Sequence, residues 1–108
     1  MGMEPTKVAV LGGGLGAIAA AFYLTDTPEK RRRFRVTVFT DEHRLGGKAG
    51  SGRNLEHGGR IEEHGLHILL GFYDEVFTLL RSAWGAWTPP RHGPFQSVDD
   101  ALEPIRCI

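Results

Sequence analysis

Lys7-Val-Ala-Val-Leu-Gly-Gly-Gly-Leu-Gly-Ala-Ile-Ala-Ala-Ala-Phe-Tyr-Leu24 is the stretch that decides the fold. Behind Lys7 runs a short apolar segment, rich in valine and bounded by glycine, which reads as a buried strand. Glycines follow at once. Leu15 to Leu24 is then alanine-rich, with strong helix propensity and side chains small enough to pack close against a sheet. Thr25-Asp-Thr-Pro28 ends that helix, because the residue before a proline disfavours the helical region. Glu29 to Arg33 is a charged patch, read as a solvated turn or short helix rather than a binding surface. Arg35-Val-Thr-Val-Phe-Thr40 alternates and is β-branched, so it predicts a second strand. Strand, glycine turn, helix and strand make a βαβ unit with parallel strands and a right-handed crossover.

The glycines are placed as a dinucleotide turn needs them. Gly12, Gly14 and Ala17 occupy the three positions of G-x-G-x-x-A. The first glycine permits the tight turn, the second admits a pyrophosphate close to the backbone, and the small third residue lets helix and strand touch. Phosphates then rest on the positive end of the helix that starts near Leu15 and Gly16. Alone the pattern is weak; between a strand and a helix it has the required context. A P-loop reading fails, since Gly46-Gly-Lys48 is followed by Ala49 and lacks the upstream glycine.

Downstream, Asp41 to Gly59 is rich in Gly, Arg and Ser and predicts a long loop, which in a compact domain is usually functional or disordered. Arg60-Ile-Glu-Glu-His64 predicts a short strand. Tyr73 to Trp84 carries Val76, Phe77, Leu80 and Trp84 at helical spacing. Pro89, Pro90 and Pro94 interrupt regular structure, and Ala101 to Ile108 shows no clear element. The whole is an α/β chain: a partial Rossmann-like βαβ unit, followed by a loop-rich segment and a helix. Residues 1–108 read as a single, incomplete FAD/NAD(P)-binding domain, with its βαβ core at about 7–48 and a second block at about 60–88. Two parallel strands alone make a poor sheet, so Val8, Val10, Val36 and Val38 are expected to need further cover.

Composition removes several function classes. The chain has 108 residues, with 13 Lys+Arg against 13 Asp+Glu, so its formal charge is zero. A nucleic-acid binder would carry a basic stripe and a high pI. Cys107 is the one cysteine, which excludes an internal disulfide framework and a cysteine-built zinc site. His64 and His67 stand three apart, but no third metal ligand is evident beside them, and His43, His57 and His92 lie in loop-like segments. No metal is therefore expected. Val8 to Leu24 is uncharged and follows Lys7, as in a leader peptide; its four glycines and its length, short of about 20 residues, argue against an inserted helix.

In dinucleotide folds an acidic residue ends the second strand and holds the ribose. Here Thr40 stands at that point, with Asp41 and Glu42 next. A hydroxyl followed by Arg44 could instead accommodate a 2′-phosphate, as NADP sites do. Val36-Thr-Val-Phe-Thr-Asp-Glu-His-Arg-Leu-Gly-Gly-Lys48 resembles the second-strand and double-glycine motif of FAD-dependent flavoproteins of the phytoene desaturase and amine oxidase superfamily. Glu62-Glu-His-Gly-Leu-His67 and Gly71-Phe-Tyr-Asp74 resemble the next block of desaturase-like members. The likeness runs from about Lys7 to Trp84, and Thr40 departs from the family's usual Glu.

The resemblance implies an FAD-binding N-terminal part of an oxidoreductase that removes hydride equivalents from a carbon skeleton. Gly12, Gly14, Leu15 and Gly16 would then hold the diphosphate, Thr40 or Asp41 would face the ribose, and Arg44, Gly46 and Gly47 would close over the phosphates. Gly65 and His67 would lie nearer the flavin ring. No catalytic acid or base is assigned. The implied substrate is a small molecule of lipid-like character, and the implied location is the cytoplasm or the edge of a membrane. The remainder of a longer chain, or a partner subunit, would be needed, and the chain alone would have no turnover. An NADP module, and a non-catalytic remnant or interaction domain of the same fold, are the alternatives.

Overall fold

A computed structural model describes residues 2–87 and 93–105. Pro89, Pro90, His92 and Cys107 lie outside the described residues. The chain divides into two compact units, residues 1–68 and 69–108.

In the first unit β1 (Thr6–Leu11) leads through the glycine turn into α1 (Leu15–Thr25). A short α2 (Pro28–Arg33) then runs directly into β2 (Phe34–Phe39). The two strands pair in parallel, with Val8 opposite Val36 and Val10 opposite Val38. Those four valines are half-buried, and α1 packs on the strands that carry them. The expected strand–turn–helix–strand unit is therefore present.

The charged patch at 29–33 has a structural task. Thr27 caps α2 by accepting the Lys30 N–H at 3.2 Å, and Pro28 supplies the fixed φ favoured at a first helical position. Lys30 Nζ then donates to the Tyr23 carbonyl at 2.8 Å and pairs with Asp26 at 2.7 Å. Arg31 donates to the Thr25 carbonyl at 2.8 Å. Two cations thus serve the last carbonyls of α1, where the helix dipole favours positive charge.

The loop predicted at 41–59 is more ordered than its composition suggests. It contains a 3-10 turn at Gly47–Ala49, β3 (Gly52–Asn54) and a second 3-10 turn at Leu55–His57. β3 pairs antiparallel with β4 (Arg60–Glu62). Asn54 makes the short connection possible: its side chain accepts the His57 N–H at 3.2 Å and donates to Glu62 at 2.7 Å. These side-chain bonds support the short β3–β4 ladder at its turn.

The second unit holds α3 (Asp74–Ala86) and α4 (Val98–Ala101), which pack together. α3 lies within two residues of its predicted span at either end; α4 was not foreseen. Ser97 caps α4 by accepting the Asp100 N–H at 3.0 Å. Leu79 and Val98 are the buried apolar residues among those described. Trp84 and Trp87 meet edge to face, with ring centroids 5.5 Å apart.

Arg81 joins the two helices by a forked pair, Nη2 to Asp99 Oδ1 at 2.7 Å and Nε to Oδ2 at 3.2 Å. These hydrogen bonds, and behind them the guanidinium charge, hold the Asp99 carboxyl below its ordinary value. Because the folded value lies below the unfolded one, the pair stabilises above about pH 4 and is lost as pH falls further. The Val98 methyl resonances should therefore shift toward unpacked values on acidification below about pH 4. In Asp99→Asn they should sit at those values already at neutral pH. Both partners are exposed, so the effect is expected to be small.

Candidate functional site

Two glycine turns meet at the carboxyl ends of β1 and β2. Gly12 adopts φ +123°, accessible to glycine alone, and donates to the Phe39 carbonyl at 2.7 Å. That bond extends the β1–β2 pairing into the turn. Gly13 is buried, and a Cβ there would lie 2.7 Å from Thr40 Oγ1 and 3.0 Å from Thr40 Cβ. Gly14 is the N-cap of α1 and offers no side chain to its amides. No acidic residue stands in the first turn of α1. The amides from Leu15 onward thus open the helix with neither a side-chain cap nor a local negative charge, which leaves the dipole end electropositive.

The second turn lies directly on the first. The Gly46 N–H donates to the Gly13 carbonyl at 2.8 Å, and Gly46 and Gly14 form a parallel bridge. Gly47 has φ +56°, and a Cβ on it would stand 3.0 Å from the Gly14 Cα. A side chain on Gly47 would press on the Gly14 backbone, which would have to give by a few tenths of an ångström. A Cβ on Gly14 or Gly16, in contrast, would meet nothing within 4 Å. The arrangement offers open space beside a helix N-terminus, framed by two glycine-rich backbones, which suits a diphosphate.

The remaining expected residues are distributed around these turns. Thr40 directly follows β2, accepts the Glu42 N–H at 3.2 Å through Oγ1, and packs against Gly13. Asp41 is exposed. Arg44 donates through Nη1 to the Ser51 carbonyl, and its guanidinium runs beside Gly50 and Gly52. His67 Nε2 lies 3.0 Å from the Lys48 carbonyl, so the block around 62–67 reaches back to the double-glycine loop. Gly65 has φ +136° and open space around it. Three participants were not singled out from the sequence: Gly13, Ser51 and Glu63. Gly13 sat at a variable position of the fingerprint, and only the contact with Thr40 reveals why it must be small. Among the described residues no group of three His, Cys, Asp or Glu could hold a metal ion.

The profile of the NAD(P)-binding Rossmann-like domain family matches residues 10–83, and the chain belongs to that family. Its curated relatives include the zeta-carotene desaturase of Solanum lycopersicum, 33% identical over 75 residues. That match covers 69% of this chain and 12% of the tomato protein. The probable zeta-carotene desaturase of Synechococcus elongatus is 33% identical over 75 residues, again 69% of this chain and 14% of the relative. The Arabidopsis thaliana enzyme is 32% identical over the same share, 12% of its length. The chain thus spans about one eighth of the length of these relatives. No solved structure matches it. The chain is a dinucleotide-binding domain related to carotene desaturases, as its resemblance to phytoene desaturase-like flavin oxidoreductases leads one to expect.

Placing a methyl group at Gly13 should strain the joint between β2 and the first turn. Gly13→Ala is expected to cost about 1–3 kcal/mol in chemical denaturation, as overpacking does. Thr40→Ala removes the nearest contact, so Gly13→Ala should cost less in that background than in the wild-type chain.

Proposed function

We propose that the chain is the FAD-binding part of a flavin-dependent oxidoreductase of the carotene desaturase kind. The observation that carries this reading is the hydrogen-bonded pair of glycine turns at the uncapped N-terminus of α1. Gly12 and Gly14 bring the backbone to the diphosphate, and the amides at Leu15 and Gly16 receive its charge. Gly46 and Gly47 close the second side. Thr40, or Asp41 beside it, meets the adenosine ribose; a threonine presents one hydroxyl oxygen where a carboxylate presents two, so its contact is not bidentate. FAD supplies the redox chemistry when bound, and this chain supplies binding and orientation.

The substrate is a small lipid-like carbon skeleton, handled by protein outside these residues, in the cytoplasm or at a membrane surface. Its contacts come from the remainder of a longer chain or from a partner subunit. No helix among the described residues is long and apolar enough to cross a membrane. NADP is the second reading, favoured by the uncharged Thr40. It would call on Arg44 for the 2′-phosphate, and that guanidinium is engaged with Ser51.

Flavin fluorescence during titration of the chain with FAD, with NADPH as competitor, tests the assignment. Saturable quenching that NADPH does not reverse is the expected result; displacement by NADPH would transfer the site to NADP. Gly14→Val should abolish binding while far-ultraviolet circular dichroism stays unchanged, because the first atom of the new side chain enters open space in the protein but blocks the diphosphate.

A further inference from the structure

The 46–50 turn has little to hold it in place. Gly46 and Gly47 carry no side chains, and both adopt left-handed backbone angles. Glycines lose more freedom on ordering than other residues do, so an anchored turn of this kind needs external ties. The structure supplies them from three sides. Arg44 precedes the turn and donates to the Ser51 carbonyl beyond it, closing the segment across its base. The Ser51 hydroxyl donates to Glu63 Oε1. His67 reaches back to the Lys48 carbonyl at 3.0 Å, with its Nδ1 3.7 Å from the same Glu63 oxygen. A carbonyl only accepts, so Nε2 carries the hydrogen in that contact.

The contacts make an arc in which hydrogen bonds link Arg44 to Ser51 and Ser51 to Glu63, the His67 ring stands beside Glu63, and its Nε2 is bonded to the Lys48 carbonyl. The arc borders the turn whose Gly46 is bonded to Gly13 and whose Gly47 rests on Gly14. We infer that Arg44, Glu63 and His67 are positioning residues: they clasp the double-glycine turn onto the first glycine turn, and so preorganise the diphosphate cradle without touching the cofactor. This inference rests on the dinucleotide reading above and reassigns two of its residues. Arg44 acts through its Nη1 hydrogen bond to the Ser51 carbonyl, not as a charge beside the phosphates. His67 acts through the Lys48 peptide, not beside the flavin ring.

A guanidinium and an ammonium behave differently here, since lysine keeps the charge but loses the rigid plane that lies along Gly50 and Gly52 and sets Nη1 on the Ser51 carbonyl. The test uses the whole chain, with ADP and adenosine as probes in calorimetric titrations. His67→Ala should weaken ADP binding about tenfold, the order expected for losing a well-placed hydrogen bond, and leave adenosine unchanged. His67→Gln, which retains a donor near Nε2, should recover most of that loss. Arg44→Lys should bind ADP as poorly as Arg44→Met, with the salt dependence of the wild-type chain.

Four results would overturn the clasp: wild-type ADP affinity in His67→Ala, no recovery in His67→Gln, near-normal ADP binding in Arg44→Lys, or equal losses for ADP and adenosine. Should the wild-type chain bind neither probe, the dinucleotide reading fails, and the clasp is judged by hydrogen exchange at the Gly46 amide. Faster exchange in His67→Ala than in the wild type would uphold the clasp without its ligand. Unchanged exchange would remove it as well.

Discussion

The Gly46 N–H to Gly13 carbonyl bond is the contact on which the rest of the first unit depends. It joins two turns that are distant in sequence and brings Gly47 within van der Waals limits of Gly14. Three glycines in the joint answer two needs, backbone angle and space. Gly12 accepts a backbone angle closed to other residues, Gly13 makes room for Thr40, and Gly47 does both things at once. The close approach depends on the missing side chain of Gly47, since a Cβ on Gly14 would point into open space. The open space beside α1 follows from the same joint, because the second turn forms one wall of it.

Much of this was legible in the residues. The βαβ order followed from two β-branched runs, an alanine-rich helix and the proline at position 28, all local signals. The fingerprint glycines were legible too, since their spacing is set by the turn itself. The pairing of the two glycine turns was legible only through resemblance, as nothing in the local sequence says that Gly46 will meet Gly13. The clasp was not legible at all. Ser51 and Glu63 are twelve residues apart and carry no pattern of their own; a hydroxyl and a carboxylate look like solvated surface until the fold brings them together. Likewise α4 depends on a Ser97 cap and on Val98 burying against its unit, and four residues are too few for periodicity to show.

The charged run at 30–33 was legible as a short solvated helix, while its task at the end of α1 was not. Lys30 and Arg31 are committed to the carbonyl end of α1, and Arg33 lies over the Phe34 ring at 5.1 Å. Cations placed there complement the helix dipole at the end opposite the glycine turn. α1 is thus served at its C-terminal end by the protein and left uncapped at its N-terminal end. A helix finished at one end and open at the other has a polarity that an anion completes.

Cover is the remaining constraint. α1 is apolar on nearly every side, yet none of its residues is buried. A helix of that character is usually enclosed. The sheet face away from the four valines is equally bare: Leu11 is 81% exposed and Phe39 55%. On that face Lys7 pairs directly with Arg35, a like-charge neighbour that costs stability in a sheet. The strands therefore hold together through their ladder and through α1, with little contribution from a closed core. In such a unit the ordering of the glycine turns is a large part of what the fold must achieve. A ligand that binds only the ordered turns adds its binding energy to the stability of the whole βαβ unit. Binding and folding of this unit are consequently linked through the Gly13–Gly46 joint, and the side chains that tie the 46–50 turn act on both.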